Sequence, residues 1–486
     1  MPSLPAVTRR PPASRANPAW FLSVPAVLLA TLIGLLESAP ALPVCTGLLF
    51  CAGWMVLKLD RQERDNRIFL QTLFSWGFLI RVVYAVLLYY WLVKTRGEPF
   101  LGGGDDWTLE RTSERMFHLW KQGNFELPWR HPAYPILLVG IRYAAEGMGG
   151  YHTFLPLMVN ACFGALIAPY LFLLARNIFG HRVAVMAGLM VMLFPNFVFY
   201  SSVQLRDIII VFFFVYSLSR LSAFIVQGRA SGVVLAVAAA IPMLYLRTVY
   251  GYLLLGMLAI ALALCLLFQP GPVKRHRWLK VILMAAGFLL LAGTMKFMTG
   301  SGVPPPIADD SALSRPLEEG YAESHALRQR DHSLSAAAEG SLGAVLLSRL
   351  PFGTGFLILP AVAFIMPYPP WAAFASQGSL AFIYFINALT WTLLMPASLL
   401  GLLIVLKRRF PENILILAPM ILILMASSAG GFTDRYKLAA MPFALVLAAV
   451  GLLNMIEDRR GSGRLFYAMV QIGLAGAYYT AKILMG

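Results

Sequence analysis

The chain has 486 residues, of which 59% are hydrophobic and only 13% charged, and its mean hydropathy is +0.71. That charged share is about half the usual soluble value, which excludes an ordinary water-soluble enzyme. The formal net charge of +16 invites a nucleic-acid reading, but the cations sit beside the ends of apolar runs and so report membrane topology. The runs reach about 20 residues, the length that crosses a hydrocarbon core of roughly 30 Å. Segments of ~10 residues with alternating polarity, the mark of a membrane β-barrel, do not occur. In lipid the backbone must then be satisfied inside helices. The expected fold class is an all-α polytopic membrane protein.

In chain order, residues 1–19 are rich in Pro, Arg and Ala and are expected to be a disordered cytoplasmic N-terminus. Thirteen spans follow, at 20–36, 41–57, 68–93, 152–175, 182–200, 208–226, 231–247, 250–268, 279–296, 379–406, 412–428, 436–454 and 465–485. A second reading makes 20–36 a signal peptide cleaved near Ser38-Ala39-Pro40-Ala41; it leaves the remaining topology unchanged. Basic clusters such as Arg9 and Arg10, Lys58 to Arg67, Lys274 to Arg277, Lys407 to Arg409 and Arg459 to Arg464 all fall on one side if the N-terminus is inside. That orientation places the segments 94–150 and 297–378, and the short loop around Asp434, outside. Loops of this length usually carry function. The four cysteines, Cys45, Cys51, Cys162 and Cys265, lie in apolar runs without metal-ligand spacing.

The first external segment contains Gly102-Gly103-Gly104-Asp105-Asp106-Trp107. Glycines let a backbone approach a ligand closely, and two carboxylates can serve as a general base or bind a hard cation. A solvated Gly-Asp turn is the plainer alternative. Thr108-Leu109-Glu110-Arg111 begins an amphipathic helix immediately afterwards. His118, His131 and His152 share this side, but their irregular spacing is not that of a metal site. A second charged motif, Arg206-Asp207, lies between two spans at the same interface. Arg247 ends a later span there, and Arg435 and Lys437 open another. Arg grips phosphate with a two-pronged fork and Lys adds a point charge. Snorkelling anchors are the bland reading of each cation alone; together they read as a lipid-phosphate site facing carboxylates. Arg81 lies within a span, where a charge costs about 2.5–3.5 kcal/mol on insertion scales. It either snorkels outward or pairs within the bundle.

The ordered series of motifs resembles the GT-C superfamily of membrane glycosyltransferases, especially the branch of protein O-mannosyltransferases and lipid A aminoarabinose transferases. It comprises Gly104-Asp105-Asp106, Tyr134-Pro135, the stretch from Leu174 to Ala184, Phe194-Pro195-Asn196, Arg206-Asp207, and Asp434-Arg435-Tyr436-Lys437 before Met441-Pro442. The likeness covers about 68–454. It implies a GT-C-like catalytic unit over 68–454, preceded by two added spans in 20–67 and followed by a C-terminal span in 455–486. It further implies a sugar donor carried on a polyprenyl phosphate. The acceptor would be a glycan, lipid or protein on the outer face of an inner (plasma) membrane. Asp105 is the first choice for the catalytic base and Asp106 the second, with Asp207 as a further active-site carboxylate. Arg206, Arg247, Arg435 and Lys437 would hold the donor phosphate. No cofactor is required, although the site can accommodate a divalent metal. The soluble C-terminal domain and Trp-Trp-Asp motif of oligosaccharyltransferases are absent, which leaves the acceptor open. The alternatives are a polysaccharide polymerase or ligase using lipid-linked oligosaccharide, and a transporter.

Overall fold

The computed structural model describes residues 21–60, 64–101, 105–125, 127, 132–227, 229, 231–268, 364, 370–372, 380–407, 413–429, 434–458 and 461–485. The expected disordered segment 1–19, the expected span 279–296 and nearly all of the expected external segment 297–378 lie outside these residues.

Among the described residues every regular element is a helix. The chain opens with a hairpin of α1 (Ser23–Leu36) and α2 (Ala41–Leu59), followed by the long α3 (Arg64–Arg96). Two short helices, α4 (Asp105–Lys121) and α5 (Ala133–Glu146), fill the segment between α3 and α6 (Phe154–Phe179). Next come α7 (His181–Leu193), α8 (Pro195–Ser201), α9 (Asp207–Gln227), α10 (Ser231–Leu246) and α11 (Thr248–Phe268). The last group is α12 (Ala381–Leu406), α13 (Ile414–Ala429), α14 (Asp434–Lys437), α15 (Met441–Glu457) and α16 (Ser462–Met485). Every expected span except 279–296 falls on a helix. By length and composition α2, α3, α6, α9 and α12 can each cross a membrane, and α7 with α8 makes a sixth crossing if the bent pair is one span. The molecule is a multi-pass membrane protein; a count of thirteen spans remains a reading of the apolar runs.

The centre of the bundle is α6, whose apolar stretch is 94% buried inside the protein. It packs on α2, α3, α7, α8 and α9. Gly180 ends it with φ 91° and ψ 178°, a positive-φ backbone that essentially only glycine adopts, and α7 departs at once. The segment expected as one span at 182–200 is broken. Pro195 has no N–H to donate and biases Phe194 towards an extended backbone; Phe194 has ψ 121° and the two arms meet at 51°. On the other side of the bundle α12 and α15 cross tightly. A Cβ on Gly401 would lie 1.9 Å from the Leu447 carbonyl oxygen, and one on Gly451 would lie 1.9 Å from that of Ala397. Small residues permit such close crossings in membranes, and Ser398 Oγ adds a hydrogen bond to the Ala444 carbonyl at 2.9 Å.

At one end of the bundle α4 and α5 pack on each other. Acidic residues open α4 and basic ones close it, which complements the helix dipole. Lys121 pairs with Glu146, and the Phe117 and Tyr143 rings meet edge-on at 4.8 Å.

Candidate active site

Two acidic residues adjacent in sequence occupy the first turn of α4, and the fold gives them different surroundings. Asp106 is buried and engaged with backbone: its Oδ2 accepts the Leu101 N–H at 2.5 Å and its Oδ1 the Trp107 N–H at 3.0 Å. It ties the approach to α4 onto the helix. Asp105 points the other way, with 55% of its side chain exposed.

Asp105 meets residues from two remote segments. Arg435, in α14, donates from Nη1 to Asp105 Oδ2 at 2.6 Å and from Nε to Asp207 Oδ2 at 2.6 Å. Asp207 opens α9 and its side chain is 5% exposed. Its other oxygen faces Arg247 Nη1 at 3.7 Å, and the Arg247 guanidinium lies 5.1 Å from the centre of the Tyr250 ring. Arg206 stands one residue before Asp207, with its Nε buried and without a hydrogen-bond partner. Lys437 is buried at the end of α14. One end of the bundle thus assembles α4, the start of α9, the α10–α11 junction and α14.

The electrostatics follow from that crowding. Burial alone would raise the pKa of Asp105, but Arg435, then Arg206 and Arg247, hold it below the ordinary carboxylate value. For Arg435 burial disfavours the charge, yet Asp207 and Asp105 outweigh it and raise the pKa. Arg206 moves down, chiefly through burial and then through Arg247, with Asp207 and Asp105 opposing. Three guanidiniums therefore share a pocket of charge with two carboxylates.

A polar scaffold that sequence reasoning missed holds the 203–206 segment in place. Glu110 Oε2 accepts from Gln204 Nε2 at 2.5 Å and from the Tyr151 hydroxyl at 2.9 Å. Its Oε1 pairs with Arg142, whose guanidinium lies 3.9 Å from the centre of the Tyr151 ring. Within α6, Asn160 donates from Nδ2 to the carbonyls of Val203 at 2.6 Å and Leu205 at 2.9 Å. A lone Asn in an otherwise apolar span was the visible signal here; the pairing of Glu110 with Arg142, 32 residues away, carried none.

Among the described residues no group of three or more His, Cys, Asp or Glu side chains converges as a metal would need. His131 lies outside the described residues. His152 sits 3.9 Å from Glu37 and accepts the Phe154 N–H on Nδ1. The two carboxylates best placed to share a divalent ion, Asp105 and Asp207, already share Arg435. Along α7 runs an open apolar groove of about 610 Å³, from His181 to Phe194, lined also by Thr390, Leu394 and Leu453.

No protein-family model and no curated protein matches the chain. Among solved structures it is similar to the archaeal oligosaccharyltransferase AglB from Archaeoglobus fulgidus, in complex with an inhibitory peptide and a dolichol-phosphate. The identity is 15%, over 86% of this chain and 56% of that one, with a TM-score of 0.43. It is likewise similar to the Archaeoglobus fulgidus oligosaccharyltransferase in complex with Zn and sulfate, at 16% identity over 84% of this chain and 52% of that one, with a TM-score of 0.45. For the apo form the identity is 17%, over 87% and 56% of the two chains, and the TM-score is 0.44. This chain therefore spans about half the length of the solved chains it matches.

Proposed function

We propose that this protein is a GT-C-like glycosyltransferase of about thirteen spans. In this reading it moves a sugar from a polyprenyl-phosphate-linked donor to a glycan, lipid or protein acceptor. One observation carries the reading: an exposed carboxylate, Asp105, stands against a partly buried cluster of three guanidiniums at a helix-bundle end. The ordered motifs in the sequence support it independently. The basic clusters in the sequence, which fall on one side when the N-terminus is inside, support a cytoplasmic N-terminus and a site that faces outward.

In the proposed reaction Asp105 accepts the proton of the acceptor hydroxyl as that oxygen attacks the anomeric carbon. The bond between the sugar and the phosphate oxygen breaks, and displacement from one face inverts the anomeric centre. The departing lipid phosphate takes the electron pair. Arg206, Arg247 and Arg435, with Lys437, balance its charge. The groove along α7 offers an apolar bed for the lipid tail. A positioned base contributes roughly 10²–10⁴-fold, and orientation of two bound substrates contributes as much or more.

The test is Asp105→Asn in cells and in purified form, read by mass spectrometry of envelope glycans and lipids. Loss of one defined sugar, with the protein present at normal levels, supports the reading and identifies the acceptor. Loss of a whole polymer ladder points instead to a polymerase or ligase. An unchanged profile removes Asp105 from the chemistry.

A further inference from the structure

Arg81 lies inside α3 with its side chain fully buried, and among the described residues no carboxylate pairs with it. Its donors reach both arms of the broken helix instead. Nη1 donates to the Met192 carbonyl at 3.3 Å, in the last turn of α7, and to the Gly77 carbonyl at 3.0 Å. Nε donates to Ser201 Oγ at 3.1 Å, at the end of α8. Ser201 Oγ donates its own hydrogen bond to the Phe197 carbonyl, and Ser202 Oγ lies 3.3 Å from the Arg81 carbonyl. The break makes these contacts necessary. With Phe194 extended and Pro195 without an N–H, carbonyls in the last turn of α7 lose their helical donors. The cradle has no spare room: a Cβ on Gly164 would lie 2.1 Å from Ser201 Oγ and 2.9 Å from Arg81 Nε.

We infer that Arg81 is a positioning residue, which sets the bend between α7 and α8 and thereby where the chain delivers Arg206 and Asp207. Ser201 is five residues from Arg206, and the intervening segment is pinned by Asn160. A shift of α8 therefore passes to the guanidinium cluster rather than being absorbed in a loose loop. Only a fork long enough to bond carbonyl and hydroxyl at once can bridge the two arms; the single ammonium of Lys cannot. The inference rests on the lipid-phosphate reading of the cluster for its functional half, and on the bend alone for its structural half.

The experiment uses the full chain in lipid nanodiscs, with undecaprenyl phosphate as the probe. Two quantities are read for wild type, Arg81→Met, Arg81→Lys and Ser201→Ala: probe affinity and amide hydrogen exchange. The expected result is faster exchange confined to 195–207, with α6 and α15 still protected. Probe binding falls about tenfold, the scale of losing one charged hydrogen bond to the phosphate. Arg81→Lys shows both effects despite keeping the charge. A merely structural role would loosen the whole bundle and leave no local signature, and that outcome overturns the proposal, as does unchanged exchange over 195–207. If Arg81→Met fails to fold, Ser201→Ala removes one arm only and decides the matter by the same two measures. If wild type does not bind the probe, the lipid-phosphate reading fails, and the exchange pattern alone decides whether Arg81 sets the bend.

Discussion

Arg435 holds two carboxylates that come from distant parts of the chain, and removing it exposes how much of the site depends on one side chain. In Arg435→Gln the nearly buried Asp207 loses a hydrogen bond of 2.6 Å and, among the described residues, keeps the ion pair with Arg247 at 3.7 Å. Hydrogen bonds to charged groups are worth about 1.5–3 kcal/mol, and stripping one partner from a buried pair costs about 3–5 kcal/mol. The remaining Arg247 contact moves the expectation to the low end, about 3 kcal/mol. The bond to Asp105 adds little to stability, because that carboxylate is 55% exposed and exposed pairs contribute about 0–1 kcal/mol. Asp207→Asn removes the charge that Arg435 would otherwise leave stranded. The double variant Arg435→Gln, Asp207→Asn is therefore expected to be at least about 1 kcal/mol more stable than the sum of the singles. Unfolding of the four proteins in mixed detergent, followed by circular dichroism, measures the coupling. Additivity within about 0.5 kcal/mol would show that the two residues do not sense each other and would remove the shared-cation arrangement from the argument.

Asp105→Asn is expected to cut turnover by about 10²–10⁴-fold with little change in stability. Asp106→Asn weakens the tie to Leu101 and lowers stability by about 1–3 kcal/mol while part of the activity survives; comparing turnover with unfolding midpoints separates the two. The pKa of Asp105 is depressed, so its carboxylate form, and the stabilisation it lends, are fully present above the ordinary value of 3.8 and are lost only as pH falls through the lower folded value. The acid limb of kcat/KM in the free enzyme should accordingly lie below the ordinary carboxylate range, and Arg435→Gln should move it upward. Because Arg435 stands between the carboxylates, EDTA is expected to leave turnover unchanged; loss restored by Mg²⁺ or Mn²⁺ would contradict that. Gly451→Leu drives a side chain into the backbone of α12 and should destabilise by more than the usual 1–3 kcal/mol of overpacking, read as loss of monodisperse protein on gel filtration.

Much of the helix layout was legible because burial in lipid demands long apolar runs, and each expected span within the described residues lies on a helix. The break at Phe194 was harder to read. The apolar run resumes at Phe197 beyond Pro195 and Asn196, so the segment reads as one span, and the missing N–H of Pro195 is what marks the turn. The site residues stood out as charges at helix ends, where each is costly enough to need a reason. Their partners did not, since Arg435 is 330 residues from Asp105 and 228 from Asp207. Nor did adjacency reveal that Asp106 would be spent on backbone while Asp105 stayed open. Asp60 and Arg220 drew no notice at all. They form a two-pronged pair at 3.0 and 2.9 Å, 160 residues apart, and clasp the end of α2 to α9.

A guanidinium claimed by two carboxylates can serve a third anion only by giving one of them up. Asp207, buried and oriented by Arg247 as well, is the tighter holder; Asp105, half in water, is the one that yields. On the proposed reading the arriving donor phosphate takes over the Nη1 contact, and Asp105 becomes more basic at the moment an acceptor needs a base. Without the donor the carboxylate stays occupied and too weak a base to activate water or a stray hydroxyl. The enzyme would thus idle silently, with donor binding first and acceptor second, and the timing would be written into a single shared side chain.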